Sequence, residues 1–296
     1  MDGLKSNKVY DLYLWLKDGL DYWSDPGEKA AIANEVFFRL LKLSPDQRVL
    51  NRDMRLSESA VVRLRKARNR LIKGEPVQYV TGVADFRGLT LHVEPGVLIP
   101  RPETEGLVEL VIEHVNDNNN NACHEILDLA TGSGCIAISL AHSLKNVRVS
   151  ACDICIQTLE IAKRNALFNN TYINFFICDL SKEDDLGGPE TTLNILVSNP
   201  PYVRASEKAT MSGHVVFHEP EHALFVPDND PLKFYRFLAK KAIHLLNKKG
   251  WLFAEINEAM GKQVVRLLED EGMECVSLHP DFHGKDRYVK ACKPGY

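Results

Sequence analysis

From residue 125 onward the chain alternates short apolar runs with stretches of helical spacing, and few folds accept that pattern. Glu125 to Leu129, Val147 to Cys152, Ile173 to Ile177, Leu193 to Ser198 and Trp251 to Ile256 read as strands. Cys135 to Leu144, Gln157 to Phe168, Pro231 to Leu246 and a segment near Gly261 to Asp270 read as helices, and two short strands close the chain. Strands separated by helices imply a mostly parallel sheet covered on both faces. In such sheets ligands bind outside the carboxyl ends of the strands, where strand order reverses. Loops at those ends are therefore where chemistry is expected.

The chain before residue 125 is of a different kind. Residues 1–75 show apolar residues at helical spacing: Val9, Leu12, Tyr13 and Leu16, then Ile32, Val36, Phe37, Leu40 and Leu41, then Val61, Leu64, Ala67, Leu71 and Ile72. Ser44-Pro45 is a helix start and Gly74 a helix stop. Residues 76–102 read as a linker, with a hairpin from Val83 to Val93 around Arg87-Gly88 and punctuation by Pro95, Gly96, Pro100 and Pro102. A helix from about Thr104 to Val115 opens the third region, 103–296, in which Asn118 to Asn121 reads as a polar surface loop. Nine basic residues lie between Arg48 and Lys73 against Asp53 and Glu58. That stretch is either a solvated helix face or a docking surface for an acidic protein or RNA.

Composition excludes several classes. A net charge of −4 gives no general pull toward nucleic acid or anionic membrane. Val9 to Leu16 is too short to span a bilayer and contains Asp11, and no stretch near the start has the make-up of a secretion signal. A cytoplasmic location is expected. Seven scattered cysteines suit reduced thiols. Cys152 and Cys155 have no second pair beside them, and Pro220 interrupts the spacing of His214, His218 and His222, so no metal site is expected.

Four loops then carry the argument. Ala130-Thr131-Gly132-Ser133-Gly134 follows the first strand and opens a helix, a turn that lets backbone approach a nucleotide-like ligand. Asp153 ends the next strand, about 20 residues on, where an acid can accept from ribose hydroxyls. Asp179 and Leu180 follow the third strand, the first placed to accept from an adenine amino group and the second to cover its ring. Asn199-Pro200-Pro201-Tyr202 follows the fourth. Two prolines stiffen the backbone, so the Asn199 side-chain oxygen and a neighbouring carbonyl can accept both hydrogens of a planar NH2 group while Tyr202 stacks on it. An amide nitrogen is a poor nucleophile. Gripping both hydrogens aims it at a methyl group and lets its lone pair localise. Together these loops point to methyl transfer to an amino nitrogen.

These motifs, in order, resemble the HemK/PrmC-type methyltransferases, which modify the glutamine of the Gly-Gly-Gln motif in peptide chain release factors. Gly74-Glu75-Pro76-Val77-Gln78-Tyr79-Val80-Thr81-Gly82, Leu98-Ile99-Pro100-Arg101-Pro102-Glu103-Thr104-Glu105 and Glu219-Pro220 with Ala223-Leu224 complete the match, which covers roughly 74–292 well. The resemblance implies an α/β fold with a seven-stranded Rossmann-like class I methyltransferase sheet ending in an antiparallel hairpin. It implies S-adenosyl-L-methionine as donor and S-adenosylhomocysteine as product, a release factor as protein partner docked by the helical domain, and Glu103 and Thr104 beside the donor; a monomer is the default expectation. The family usually has glycine where this chain has Ala130, and alanine is strained there if φ is positive. Two enzyme alternatives remain. A DNA adenine-N6 methyltransferase would use the same NH2 grip, and Gly132 to Ala137 also fits a nicotinamide-binding pattern. A third is a non-catalytic, translation-associated cofactor-binding protein.

Overall fold

The computed structural model describes residues 4–117, 123–182 and 193–295, so the asparagine run lies outside the described residues. The chain divides into two compact units. One comprises residues 1–83 with Ser212–His218, the other 84–211 with 219–296.

The first unit is helical: α1 (Val9–Asp18), α2 (Pro26–Leu41), α3 (Pro45–Leu50), α4 (Glu58–Leu71) and α5 (Val77–Thr81). Its helix starts are written in the sequence. Asp25 and Ser57 accept from the backbone amides of Glu28 and Ala60, and Ser44 with Gln47 forms a reciprocal capping box. Val9, Leu12, Leu16, Val36, Phe37, Leu64 and Leu71 are fully buried between these helices. Truncating one such residue, Phe37→Ala for example, costs about 3–5 kcal/mol. Two features escaped the sequence reading. Helix α5 is held by Arg70, which donates to Glu75 and to the carbonyls of Tyr79 and Val80. Ser212–His218 also belongs to this unit: the His214 ring lies 5.0 Å from that of Trp23, and His218 meets the Lys73 carbonyl.

The second unit begins with the hairpin β1 (Val83–Phe86) and β2 (Leu89–His92). Arg87 and Gly88 both adopt left-handed φ, 48° and 75°, as a two-residue hairpin turn demands. This hairpin is not a free linker. Arg87 donates its backbone amide to Glu105, and fully buried Asn165 bonds both the amide and carbonyl of His92. Next come α6 (Pro102–Asp117), β3 (His124–Leu129), α7 (Cys135–Ser143), β4 (Val147–Asp153), α8 (Ile156–Phe168), β5 (Ile173–Ile177) and β6 (Leu193–Ser198). The short β7 (Val203–Arg204), α9 (Gly213–His218), α10 (Glu221–Leu224) and β8 (Phe225–Val226) follow. The chain closes with α11 (Lys233–Leu245), β9 (Leu246–Glu255), α12 (Gly261–Asp270), β10 (Glu274–Pro280) and β11 (Asp286–Cys292). Strand β9 starts five residues earlier than expected, because Leu246 already pairs with Leu193.

The described residues form a seven-stranded sheet in the order β10-β11-β9-β6-β3-β4-β5, in which β11 alone runs opposite to the rest, antiparallel to both of its neighbours, β10 and β9. Apolar clusters fill both faces, around Val111, Ile138 and Phe253 on one and Leu196, Leu238 and Leu268 on the other. Strand order reverses beside β3, between β4 and β6. The loops after β3, β4, β5 and β6 therefore open into one crevice.

Candidate active site

A cavity of about 290 Å³ lies in that crevice, at the small end for a small-molecule site. Its wall includes Ala130, Thr131, Gly132, Ser133, Asp153, Asp179, Leu180, Asn199, Pro201 and Thr104. Four residues expected at the site are absent from the wall: Glu103, Gly134, Pro200 and Tyr202. Gly134 serves packing, because a Cβ there would lie 2.9 Å from Ile138 and 3.2 Å from Ala162. Pro200 is buried beneath the wall.

The glycine turn is built around two carboxylates. Asp128 is fully buried and accepts from the Thr131 hydroxyl at 2.5 Å and from the Ala137 amide at 3.2 Å, fastening both ends of the turn. Burial pushes its carboxyl up to about 7. Asp153 accepts from the Gly132 amide and from the Cys155 amide, each at 3.0 Å. Burial raises its carboxyl too, against those amide bonds and the attraction of His222. Ala130 stands at φ 58°, inside the left-handed region. Asn165 donates to the Ser133 carbonyl at 2.9 Å, so the same side chain that anchors β2 also braces the turn.

The far end of the cavity is formed by Cys178, Asp179, Leu180 and Phe234. Asp179 accepts from both the amide and hydroxyl of Ser181, and those bonds hold its carboxyl below the usual range. The apolar neighbours suit one face of a flat ring, and Asp153 suits a diol.

On the remaining side, Asn199 donates Nδ2 to the Thr104 hydroxyl at 3.0 Å, and no hydrogen bond is found to its amide oxygen among the described residues. Tyr202 departs from expectation. Its hydroxyl donates to Glu255 at 2.8 Å, and its ring packs with the core residues of the α11 face rather than on the cavity. Burial and the adjacent carboxylate push that phenol far above its ordinary range. Glu255 went unnoticed in the sequence, although an acid ending an apolar strand was a usable signal. Gly96 to Arg101 reads in the sequence as linker and as part of a matching motif, but not as a wall of the site. Glu219, 1% exposed at its side chain, accepts from the Ile99 amide at 3.2 Å and pairs with Arg101 at 2.6 Å, which fixes that wall.

Comparison with known proteins points to one family. Residues 89–227 match the methyltransferase small domain, and residues 25–82 match the PrmC N-terminal domain. Among curated proteins, the release factor glutamine methyltransferase of Bacteroides thetaiotaomicron is 39% identical over 94% of this chain and 97% of its own. That of Flavobacterium psychrophilum is 40% identical over 84% of each. Among solved structures, the hMettl16 catalytic domain, in complex with a MAT2A 3′UTR hairpin, shares the fold. Its TM-score is 0.54 over 81% of this chain and 83% of that one, at 15% identity.

Proposed function

The chain belongs to the family of release factor glutamine methyltransferases, and from that premise we propose what it does. It transfers a methyl group from S-adenosyl-L-methionine to the side-chain amide nitrogen, N5, of the glutamine in a release factor's Gly-Gly-Gln motif. S-adenosylhomocysteine and the proton lost by the amide nitrogen are the other products. The observation that carries this reading is Asn199: it borders the cavity with its NH2 engaged by Thr104, so its oxygen is the atom left to accept from a substrate amide.

The cavity's residues fit the donor. The Asp153 carboxylate would accept from the ribose hydroxyls, and Asp179 with Leu180 would meet the adenine. The turn from Ala130 to Gly134 lies against the remainder, with Thr131, Gly132 and Ser133 in the wall. When bound, the donor supplies a methyl group on a sulfonium, a leaving group that needs no acid. What remains for this chain is orientation. The Asn199 oxygen and a neighbouring backbone carbonyl accept the two amide hydrogens of the glutamine, which turns the nitrogen toward the methyl and reduces delocalisation of its lone pair into the carbonyl. Pro201 stiffens the grip from behind. Tyr202 contributes through its anchored hydroxyl, and Glu103 through its place at the start of α6 beside Thr104.

Residues 103–296 carry the chemistry in this reading, residues 76–102 the hairpin connection, and residues 1–75 the docking of the release factor body. The enzyme acts as a monomer in the cytoplasm on protein. No helix among the described residues is long and apolar enough to cross a membrane. The test is to offer labelled donor with purified release factor and, separately, with duplex DNA. Label confined to the release factor is expected. Label in DNA, or in neither, would overturn the proposal.

A further inference from the structure

Glu255 ends β9 with its carboxylate fully buried, and the donor and acceptor contacts proposed above make no use of it. One oxygen accepts from the Thr104 hydroxyl at 2.7 Å and the other from the Tyr202 hydroxyl at 2.8 Å. Thr104 is itself 2% exposed, so water does not compete for it. A hydroxyl has a single proton. Thr104 donates that proton to Glu255 and can therefore meet Asn199 only as an acceptor. This obliges Asn199 to turn its NH2 toward Thr104, as observed at 3.0 Å. The end left over is the amide oxygen.

We propose that Glu255 is a positioning residue for methyl transfer, which fixes through Thr104 which end of the Asn199 amide meets the substrate. The inference rests on the reading of Asn199 as the group that grips the glutamine amide. It adds a cause that the prolines do not supply. Stiff backbone fixes where the side chain starts, but an asparagine amide can still turn over, and the wrong end would present two hydrogens to two hydrogens.

The relay also polarises in the useful direction. The Glu255 carboxyl accepts the Thr104 proton even though burial raises it, the Thr104 oxygen draws an Asn199 N–H, and the Asn199 oxygen becomes a better acceptor. The groups facing Glu255 keep the site coherent. Thr104 and Glu103 approach from α6, Tyr202 from the loop after β6, and Arg287 and Tyr288 from β11. Tyr235 of α11 donates to the Glu255 backbone carbonyl at 3.3 Å. Arg287 lowers the Glu255 carboxyl through its charge while itself bonded to Asp281 and Glu258.

The test compares wild type, Glu255→Gln, Thr104→Val and Thr104→Ser on release factor, with donor affinity and thermal stability measured alongside. Glu255→Gln and Thr104→Val should each lower kcat by about 100-fold, the scale of a misaligned reactant, and in Glu255→Gln, which lies outside the cavity wall, donor Kd should change by less than about 3-fold. The double variant should be no worse than either single one, because both break the same chain. Thr104→Ser, which keeps the hydroxyl, should recover most of the turnover. NMR of the Asn199 side-chain NH2 supplies a readout independent of activity. Its resonances should shift in Glu255→Gln although that residue does not touch Asn199. An unchanged kcat or unchanged Asn199 resonances in Glu255→Gln would overturn the inference. So would fully multiplicative losses in the double variant. Should Glu255→Gln not fold, the contrast between Thr104→Val and Thr104→Ser decides: equal losses overturn it. Failure of the wild type to label release factor would sink the functional reading alone, since the NMR comparison still tests the relay.

Discussion

The Asp153 carboxylate accepts the Gly132 amide at 3.0 Å, which ties the end of β4 to the turn that follows β3. One side chain thus shapes the donor cavity and offers its remaining lone pairs to a ligand. Asp153→Ala should raise donor Kd by about 10- to 100-fold, the worth of a hydrogen bond to a charged group, while kcat at saturating donor falls much less. Calorimetric titration checks this. An unchanged Kd would remove Asp153 from the donor site.

Ala130 at φ 58° answers the question raised by its replacement of the family's usual glycine. Left-handed backbone costs an L-residue about 1–2 kcal/mol, but glycine costs the unfolded chain about 0.5–1 kcal/mol more entropy. The two nearly cancel. Ala130→Gly should shift stability by less than about 1 kcal/mol, whereas Ala130→Val, branched at Cβ, should destabilise by about 2 kcal/mol or more. Denaturant titration measures both. A harmless valine would contradict the left-handed assignment.

Asp128 makes a prediction about pH. Its folded carboxyl titrates near 7 against an ordinary 3.8. Between those values the folded state keeps a proton that the unfolded chain has released, so stability falls as pH rises through the window. Asp128→Asn cannot titrate. Its stability relative to wild type should therefore improve by roughly 2–3 kcal/mol between pH 5 and pH 8, and parallel profiles would count against a raised Asp128.

The basic stretch of the helical unit divides on inspection. Arg48 lies over Tyr13, Arg68 lies over Trp15 and Arg70 pairs with Glu75, so these side chains are part of the unit's own packing. Arg63 and Lys66 are exposed. Reversing those two to Glu should raise KM for release factor by about 3- to 10-fold at low salt and less at high salt, with no change in donor Kd. Arg68→Glu should instead lower stability by about 1 kcal/mol, through lost stacking and stem packing. Salt-dependent kinetics and melting curves separate the two effects.

The sheet was readable because its parallel strands are near-continuous apolar runs, as Leu193–Ser198 shows, with helices of clear period between them. The glycine turn, Asp153 and Asn199 were readable because strand ends in such a sheet converge. The role of Glu255 was not, because it depends on two hydroxyls, Thr104 and Tyr202, that lie 151 and 53 residues away in the chain. The role of Ser212–His218 was equally hidden. Its partners Trp23 and Lys73 lie far back in the sequence, and no local pattern announces such a pairing.

The central claim is that a proline-backed asparagine holds a glutamine amide in front of a methyl donor. Its most direct test is peptide mass mapping of release factor after reaction with wild type and with Asn199→Ala. The account predicts one added methyl on the side-chain nitrogen of the Gly-Gly-Gln glutamine with wild type, and almost none with Asn199→Ala despite normal donor binding. Methyl on any other residue, or equal modification by both proteins, would contradict it.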